Sequence, residues 1–156
     1  MSIAAVRDYL AQFGQADKIL EFPTSSATVE LAAQAAGVIP ARIAKSLSFR
    51  VGDKAVLLIA AGDAKVDNTK FKAFFHTKAK MLSPDEVVSL VGHAVGGVCP
   101  FAILDSAEVY LDLSLRRFQT VFPAAGSSNS AIELTCEQLE QYAQHCQGWG
   151  DFCKGW

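Results

Sequence analysis

Apolar residues at Val6, Tyr9, Leu10 and Phe13 follow the i, i+3, i+4, i+7 spacing of one helical stripe, so a helix is predicted over Ile3–Phe13, ended by Gly14. Ile19-Leu20-Glu21-Phe22 predicts a short strand stopped by Pro23. The alanine-rich run Val29–Ala36 predicts a helix, with Ser26 or Thr28 as its cap and Gly37 just past its end. Ile43–Val51 and Ala55–Ala61 predict two strands joined through Gly52-Asp53-Lys54 as a hairpin. The second is so uniformly apolar that both of its faces should be buried. Asp67-Asn68 opens a helix through Phe71, Phe74 and Phe75, whose rings are read as core packing. Ser83-Pro84-Asp85-Glu86 supplies a cap, a first-turn proline and acids that suit the helix dipole. Val87, Val88, Leu90 and Val91 form that helix's apolar face, and Gly92 ends it.

Further on, strands are predicted at Phe101–Leu104, Glu108–Leu111, Gln119–Phe122 and Ala131–Leu134. A short helix spans Ser114–Arg117, Gly126–Ser130 is a polar turn, and Thr135 caps a last helix through Leu139 and Tyr142. Helices and strands mix without repeated βαβ units. The fold class is therefore α+β: one domain over residues 1–147, with a mixed, partly closed β-sheet flanked by helices. Residues 148–156 show no regular period and read as a C-terminal tail.

Composition narrows the picture. With 156 residues, 51% hydrophobic and 19% charged, the chain can bury a real core and is not a disordered polyelectrolyte. A net charge of −2 argues against a general nucleic-acid coat. A local basic cluster exists all the same: Lys65, Lys70, Lys72, Lys78 and Lys80 occupy a span whose one acid is Asp67. No apolar run reaches the roughly 18 residues a membrane span needs. The first residues carry Arg7 and Asp8 where a leader sequence would be apolar. A cytoplasmic protein with no membrane partner is the expectation. Cys99, Cys136, Cys146 and Cys153 form no C-x-x-C pair, and with His145 they fit no zinc-ligand spacing, so reduced thiols and no metal are expected.

The densest candidate chemistry lies in Gly92–Phe101. Paired Gly96 and Gly97 followed by Pro100 suggest a rigid loop whose N–H groups face an anion or a developing oxyanion. Lys45, alone in the apolar Ile43–Phe49 strand, is a second positive element. Together they suggest an ester or a phosphate-bearing substrate. Cys99 reads as a small core residue rather than a nucleophile, and His93 as a surface or capping group just past a helix end.

Four stretches in fixed order carry a family resemblance. They are Ser25-Ser26-Ala27-Thr28-Val29-Glu30; Gly37-Val38-Ile39-Pro40 leading to Ile43-Ala44-Lys45-Ser46-Leu47; Val95-Gly96-Gly97-Val98-Cys99-Pro100; and Gly126-Ser127 running to Ile132-Glu133-Leu134. Over about residues 3–143 the chain resembles the YbaK-type aminoacyl-tRNA deacylases, related to the editing domain inserted in bacterial prolyl-tRNA synthetases. The resemblance implies hydrolysis, in trans, of the ester joining a wrong amino acid to the tRNA 3′ end. It implies catalytic roles for Lys45, Gly96 and Gly97, and substrate contacts from Ser26, Thr28, Ser46, Val98, Pro100, Gly126 and Ser127. Water would attack, no cofactor would be needed, and the five clustered lysines would meet tRNA phosphates. The implied partners are the aminoacyl-tRNA 3′ end and an aminoacyl-tRNA synthetase, for a monomer or homodimer. The alternative on the same fold is a catalytically weak tRNA- or synthetase-binding module. Ala124-Ala125-Gly126 stands where the cysteinyl-specific branch resembles Ser-Gly-Gly, and no histidine lies between Arg116 and Tyr142 as in the alanyl-specific branch. The edited amino acid therefore stays open.

Overall fold

A computed structural model describes residues 3–156; Met1 and Ser2, the head of the stretch read above for a leader, lie outside the described residues. The hairpin comes first in the physical order. Strand β2 (Ile43–Val51) pairs antiparallel with β3 (Lys54–Ala61), with Lys45 opposite Ala60 and Val51 opposite Lys54. From Ala55 to Ala61 every β3 residue is buried, as its unbroken apolar run requires. Parallel pairing adds β5 (Ala107–Asp112) to β3 and β6 (Thr120–Pro123) to β2. Further pairing adds β9 (Cys146–Gly150) beside β5 and β8 (Leu134–Thr135) beside β6. The six-stranded mixed sheet runs β8-β6-β2-β3-β5-β9. Short ladders join β1 (Leu20–Glu21) to β7 (Ser130–Ala131), and β4 (Lys65–Val66) to β10 (Cys153–Lys154). The result is the expected α+β class with a curled mixed sheet.

Among the described residues five α-helices accompany this sheet, and their ends follow the local sequence. Helix α1 (Ile3–Ala11) buries Val6 and Leu10. In α2 (Val29–Ala36) the cap is Thr28, whose Oγ1 accepts from Leu31 N–H at 3.2 Å, and Gly37 closes the helix at φ 71°. Asp67 caps α3 (Asn68–Phe75), and Ser83 with Glu86 forms a capping box on α4 (Pro84–Leu90). Thr135 and Gln138 do the same for α5 (Cys136–Tyr142). A 3₁₀ turn over Leu113–Arg117 replaces the short helix predicted there. Among the described residues no helix is long and apolar enough to cross a membrane.

Several expectations are corrected by packing. Phe101–Leu104 is not a strand. Ala102 adopts φ 55°, Leu104 N–H donates to the Val91 carbonyl at 3.0 Å, and Ile103 N–H donates to Gln144 Oε1 at 2.8 Å. Its backbone is satisfied by a helix end and a side chain, so no ladder forms. Ala131–Leu134 splits between β7 and β8, two ladders with different partners. Val88 is half exposed at 50%, because the short α4 buries only the edge carrying Val87 and, just past its end, Val91.

Gly148–Trp156, expected without regular structure, contributes to β9 and β10 and buries Phe152 and Cys153. Asp112 holds this segment, its Oδ1 accepting from Phe152 N–H at 2.8 Å and its Oδ2 from Ser114 N–H at 3.0 Å. A Cβ at Gly150 would sit 2.5 Å from the Phe152 ring. The glycine that hides strand propensity in the sequence makes room for the core aromatic. Phe71, Phe75, Tyr110 and Phe152 gather with Phe74 in one aromatic cluster of edge-to-face, tilted and stacked pairs; Phe71 is core as expected, whereas Phe74, expected in the core, is 51% exposed at the cluster's rim.

Gly62, just after β3, lies so close to the Pro40 carbonyl that a Cβ there would collide with its oxygen and come within 2.7 Å of Val29 Cγ1. Gly62→Ala must push the turn off this contact and is expected to lower stability by about 1–3 kcal/mol. Urea unfolding of the two proteins checks this; coincident curves would show that the turn shifts freely.

Candidate functional site

Three loops and one strand enclose a cavity of about 250 Å³. The strand is β2, which contributes Ile43, Ala44, Lys45, Ser46 and Ser48 to the lining. The loops are 25–28 ahead of α2, 95–98 after α4, and 124–131 around β7. Ser26 joins the first to the third: its N–H donates to the Ser128 carbonyl at 2.6 Å and its hydroxyl to the same oxygen at 3.3 Å. Ser26 is thus a loop-to-loop tie rather than a helix cap. The glycine loop fits between them. A Cβ at Gly96, itself at φ +99°, would lie 3.4 Å from Ala27 Cβ and 3.6 Å from Ser128 Cβ. At Gly97 it would come within 2.8 Å of the Gly126 and Ser127 backbone. Bare backbone is therefore needed at Gly97 for the loops to close.

Of the residues singled out in the sequence, Lys45, Ser46, Ser26, Thr28, Gly96 and Val98 line this one cavity. Gly97, Pro100, Gly126 and Ser127 stand behind it. The Pro100 carbonyl accepts from Gln144 N–H at 2.8 Å, and Ser127 Oγ lies 2.6 Å from the hydroxyl of Ser130, which does face the cavity. Gly97 N–H donates to the Ala94 carbonyl at 3.1 Å, so it is not open to a ligand. No hydrogen bond occupies the N–H of Gly96 or of Val98 among the described residues. The five clustered lysines lie outside the cavity. Sequence reading missed its apolar walls, Val29 and Ala32 on one side, Met81, Leu82 and Val87 on another, and Phe122 with Ala124 on a third. It also missed Ser48. The signal was there: Ala44, Ser46 and Ser48 alternate along β2 as a small, partly hydroxylated face.

Lys45 is half-buried, and its ammonium donates to the carbonyls of Ala64 and, at 3.3 Å, of Gly62. Burial draws its pKa below the ordinary lysine value, with the Asp63 and Glu30 carboxylates opposing the shift. Asp63 belongs to the same turn and is clamped by Arg117 at 2.6 and 3.1 Å, which holds its own pKa down. An ammonium has three donors, so two carbonyls leave one N–H for a ligand. Among the described residues Lys45 is the one ionisable side chain lining the cavity. Ser46 lines the cavity too, and its Oγ is buried without a partner. A buried hydroxyl without a partner costs free energy that a bound polar group would recover.

Cys99 is wholly buried behind the loop, and burial pushes its thiol up to about 12. It has no nucleophilic character. His93, expected at the surface, is fully buried instead. Its Nε2 sits 2.7 Å from the Phe101 carbonyl, which can only accept, so Nε2 carries the proton and Nδ1 is left bare and unpartnered. The ring ties the chain just past α4 to the far end of the glycine loop.

Residues 24–142 match the family model of the aminoacyl-tRNA editing domain. The uncharacterized protein YwhH of Bacillus subtilis (strain 168) is 55% identical over the whole of this chain and 99% of its own. A proline–tRNA ligase of Geobacillus sp. (strain WCH70) is 28% identical over 57% of this chain, which spans only 16% of that enzyme. A crystal structure described as a candidate trans-editing enzyme for prolyl tRNA synthetase superposes with a TM-score of 0.87 at 29% identity, covering 98% of this chain and 97% of the other.

The histidine tie gives a test that needs no substrate. His93→Leu leaves the buried Phe101 carbonyl with only the weak Cys99 thiol donor at 3.7 Å and should cost about 1–3 kcal/mol in urea unfolding, with His93→Gln recovering part of it. Burial also lowers the histidine pKa from 6.5, so the folded state binds fewer protons than the unfolded chain below that value. The stabilisation from neutral His93 is complete above the unfolded pKa and is lost as pH falls toward the folded one. The acid limb of wild-type stability should be steeper than that of His93→Gln; equal limbs would remove the buried-tautomer assignment.

Proposed function

Because this chain belongs to the aminoacyl-tRNA editing domain family, we propose that it hydrolyses, in trans, the ester bond of a mischarged aminoacyl-tRNA. The observation that carries this reading is convergence: Lys45, with its half-buried ammonium, and Gly96 and Val98, whose N–H groups have no hydrogen-bond partner among the described residues, line one cavity. Attack of water on the acyl carbon turns the carbonyl oxygen into an oxyanion. Gly96 and Val98 N–H are the donors available to it, and one such preorganised donor is worth about 3 kcal/mol. Gly97 then acts sterically, letting the loop close against Gly126 and Ser127. The remaining N–H of Lys45 holds the substrate near the acyl or phosphate oxygens.

No carboxylate or imidazole lines the cavity among the described residues. The proton of the attacking water passes instead through the substrate itself: the neighbouring hydroxyl accepts it while giving its own proton to the departing ribose oxygen, or, in a thiol-bearing amino acid, the thiolate form takes it up and hands it on to that oxygen. The ribose oxygen leaves with a proton, and the products are the free amino acid and an uncharged 3′ end. An aminoacyl ester is reactive enough for positioning and oxyanion stabilisation to suffice. The small, largely apolar walls admit a compact side chain, and Ser46 Oγ offers it one polar contact.

A panel of alanyl-, seryl-, threonyl- and cysteinyl-tRNA tests the reading. At least one should lose its amino acid faster with protein, and Lys45→Ala should lower kcat/KM by about 10²–10³. The activity requires charged Lys45, so it should fall on the alkaline side at a pH below the ordinary lysine value of 10.5. Cys99→Ser should retain most turnover; its complete loss in a folded variant would replace water attack by covalent catalysis. Binding of tRNA without hydrolysis of any member would favour the binding-module alternative.

A further inference from the structure

Six of the fourteen lysines and arginines of this chain are paired with carboxylates among the described residues. Arg7, Arg42, Arg50, Lys54, Lys70 and Arg117 each pair with a carboxylate within 3.9 Å. Lys70, read above as a phosphate contact, is spent on Asp151 and the Cys153 carbonyl, both at 2.9 Å. Lys72, Lys78 and Lys80, like Lys18, Lys65 and Lys154, are exposed and have no ion-pair partner among the described residues; what sets these three apart is their place just ahead of the cavity-lining pair Met81 and Leu82.

Lys72 and Lys78 line one surface hollow with Asn68 and Thr69. Its positive character comes from these lysines, because the N–H groups of Thr69 and Lys70 are already taken by Asp67. From Lys78 the chain leads directly to the cavity of Lys45. The Lys80 carbonyl accepts from Arg50 N–H at 2.9 Å, Met81 bridges to Phe49, and Leu82 N–H donates to the Ser48 carbonyl at 3.0 Å. The segment is thereby stapled along β2. Met81, 61% exposed, forms part of the cavity wall, with Val95, 66% exposed, lining the same cavity from the glycine loop.

We infer that Lys72, Lys78 and Lys80 form a lane for the backbone phosphates just upstream of the acylated nucleotide, leading the single-stranded 3′ end of an RNA into the cavity past Met81. This inference rests on the proposed function, since it takes the cavity as the site of the terminal acyl ester. Contacts of this kind position the strand and read no sequence.

The test compares wild type with the triple variant Lys72→Ala, Lys78→Ala, Lys80→Ala, whose exposed positions should leave the thermal unfolding midpoint unchanged. Binding of uncharged tRNA, followed by fluorescence anisotropy across a salt series, should weaken about tenfold, and the slope of log K against log salt should drop by about 2. For a tRNA that the wild type deacylates, KM should rise with kcat retained. Hydrolysis of the corresponding aminoacyl-adenosine, which has no upstream phosphate, should not change. An unchanged salt slope would overturn the lane, and so would an equal loss on aminoacyl-adenosine, which would place the lysines in the cavity's chemistry. Should the wild type hydrolyse no acylated tRNA, the proposed function fails, while the salt slope with uncharged tRNA still decides the lane.

Discussion

A desolvated ammonium has to be met by oxygen, and this fold is arranged around one such match. Lys45 emerges from a strand whose partner, β3, is buried along its length, so water cannot solvate the charge from that side. The carbonyls of Gly62 and Ala64 take its place. They do so because the turn after β3 is pressed onto Pro40 too closely for any side chain at position 62, and because Arg117 grips Asp63 within it. The cation is left fixed and partly unsatisfied, on a residue that lines the cavity. A lysine free to swing would offer its charge to solvent and lose most of its effect on a ligand.

The other half of the site is built from backbone. Three loops from distant parts of the chain close on each other through Ser26, Ser128, Gly96 and Gly97, with contacts too tight for a Cβ at Gly97. Two neighbouring glycines therefore serve different ends. Gly96 takes a positive φ and keeps its N–H open, whereas Gly97 spends its N–H on Ala94 and yields space to the facing loop. His93 and Cys99 fill the interior behind them, a neutral imidazole and an un-ionised thiol where a charge would have no counterpart.

Charge is distributed to the same purpose. An overall balance of −2 conceals that, among the described residues, acids pair with six of the fourteen basic side chains and leave three exposed lysines unpaired on the approach to the cavity. Local fields act over roughly a Debye length, about 8–10 Å at physiological salt, so a short unpaired stretch outweighs net charge for a polyanion arriving there.

Much of this was legible in the chain as written. Helix caps at Thr28, Asp67, Ser83 and Thr135, the hairpin around Gly52, and the double burial of β3 are decided by a few neighbouring residues, and local rules find them. Lys45 and the Gly96-Gly97 pair stood out for the same reason: a cation in an apolar strand and adjacent glycines are anomalies visible without neighbours in space. What escaped depended on partners remote in sequence. Phe101–Leu104 lost its strand to the Val91 carbonyl and Gln144, and the glycine-rich end became β9 because β5 offered an open edge and Gly150 cleared room for Phe152. His93 sank into the core, and Gly97 turned out to be a spacer. Local propensity and periodicity determined the elements and marked the unusual residues; tertiary packing alone decided which polar groups remain unpaired, because satisfaction of a buried donor or acceptor is a property of everything that surrounds it.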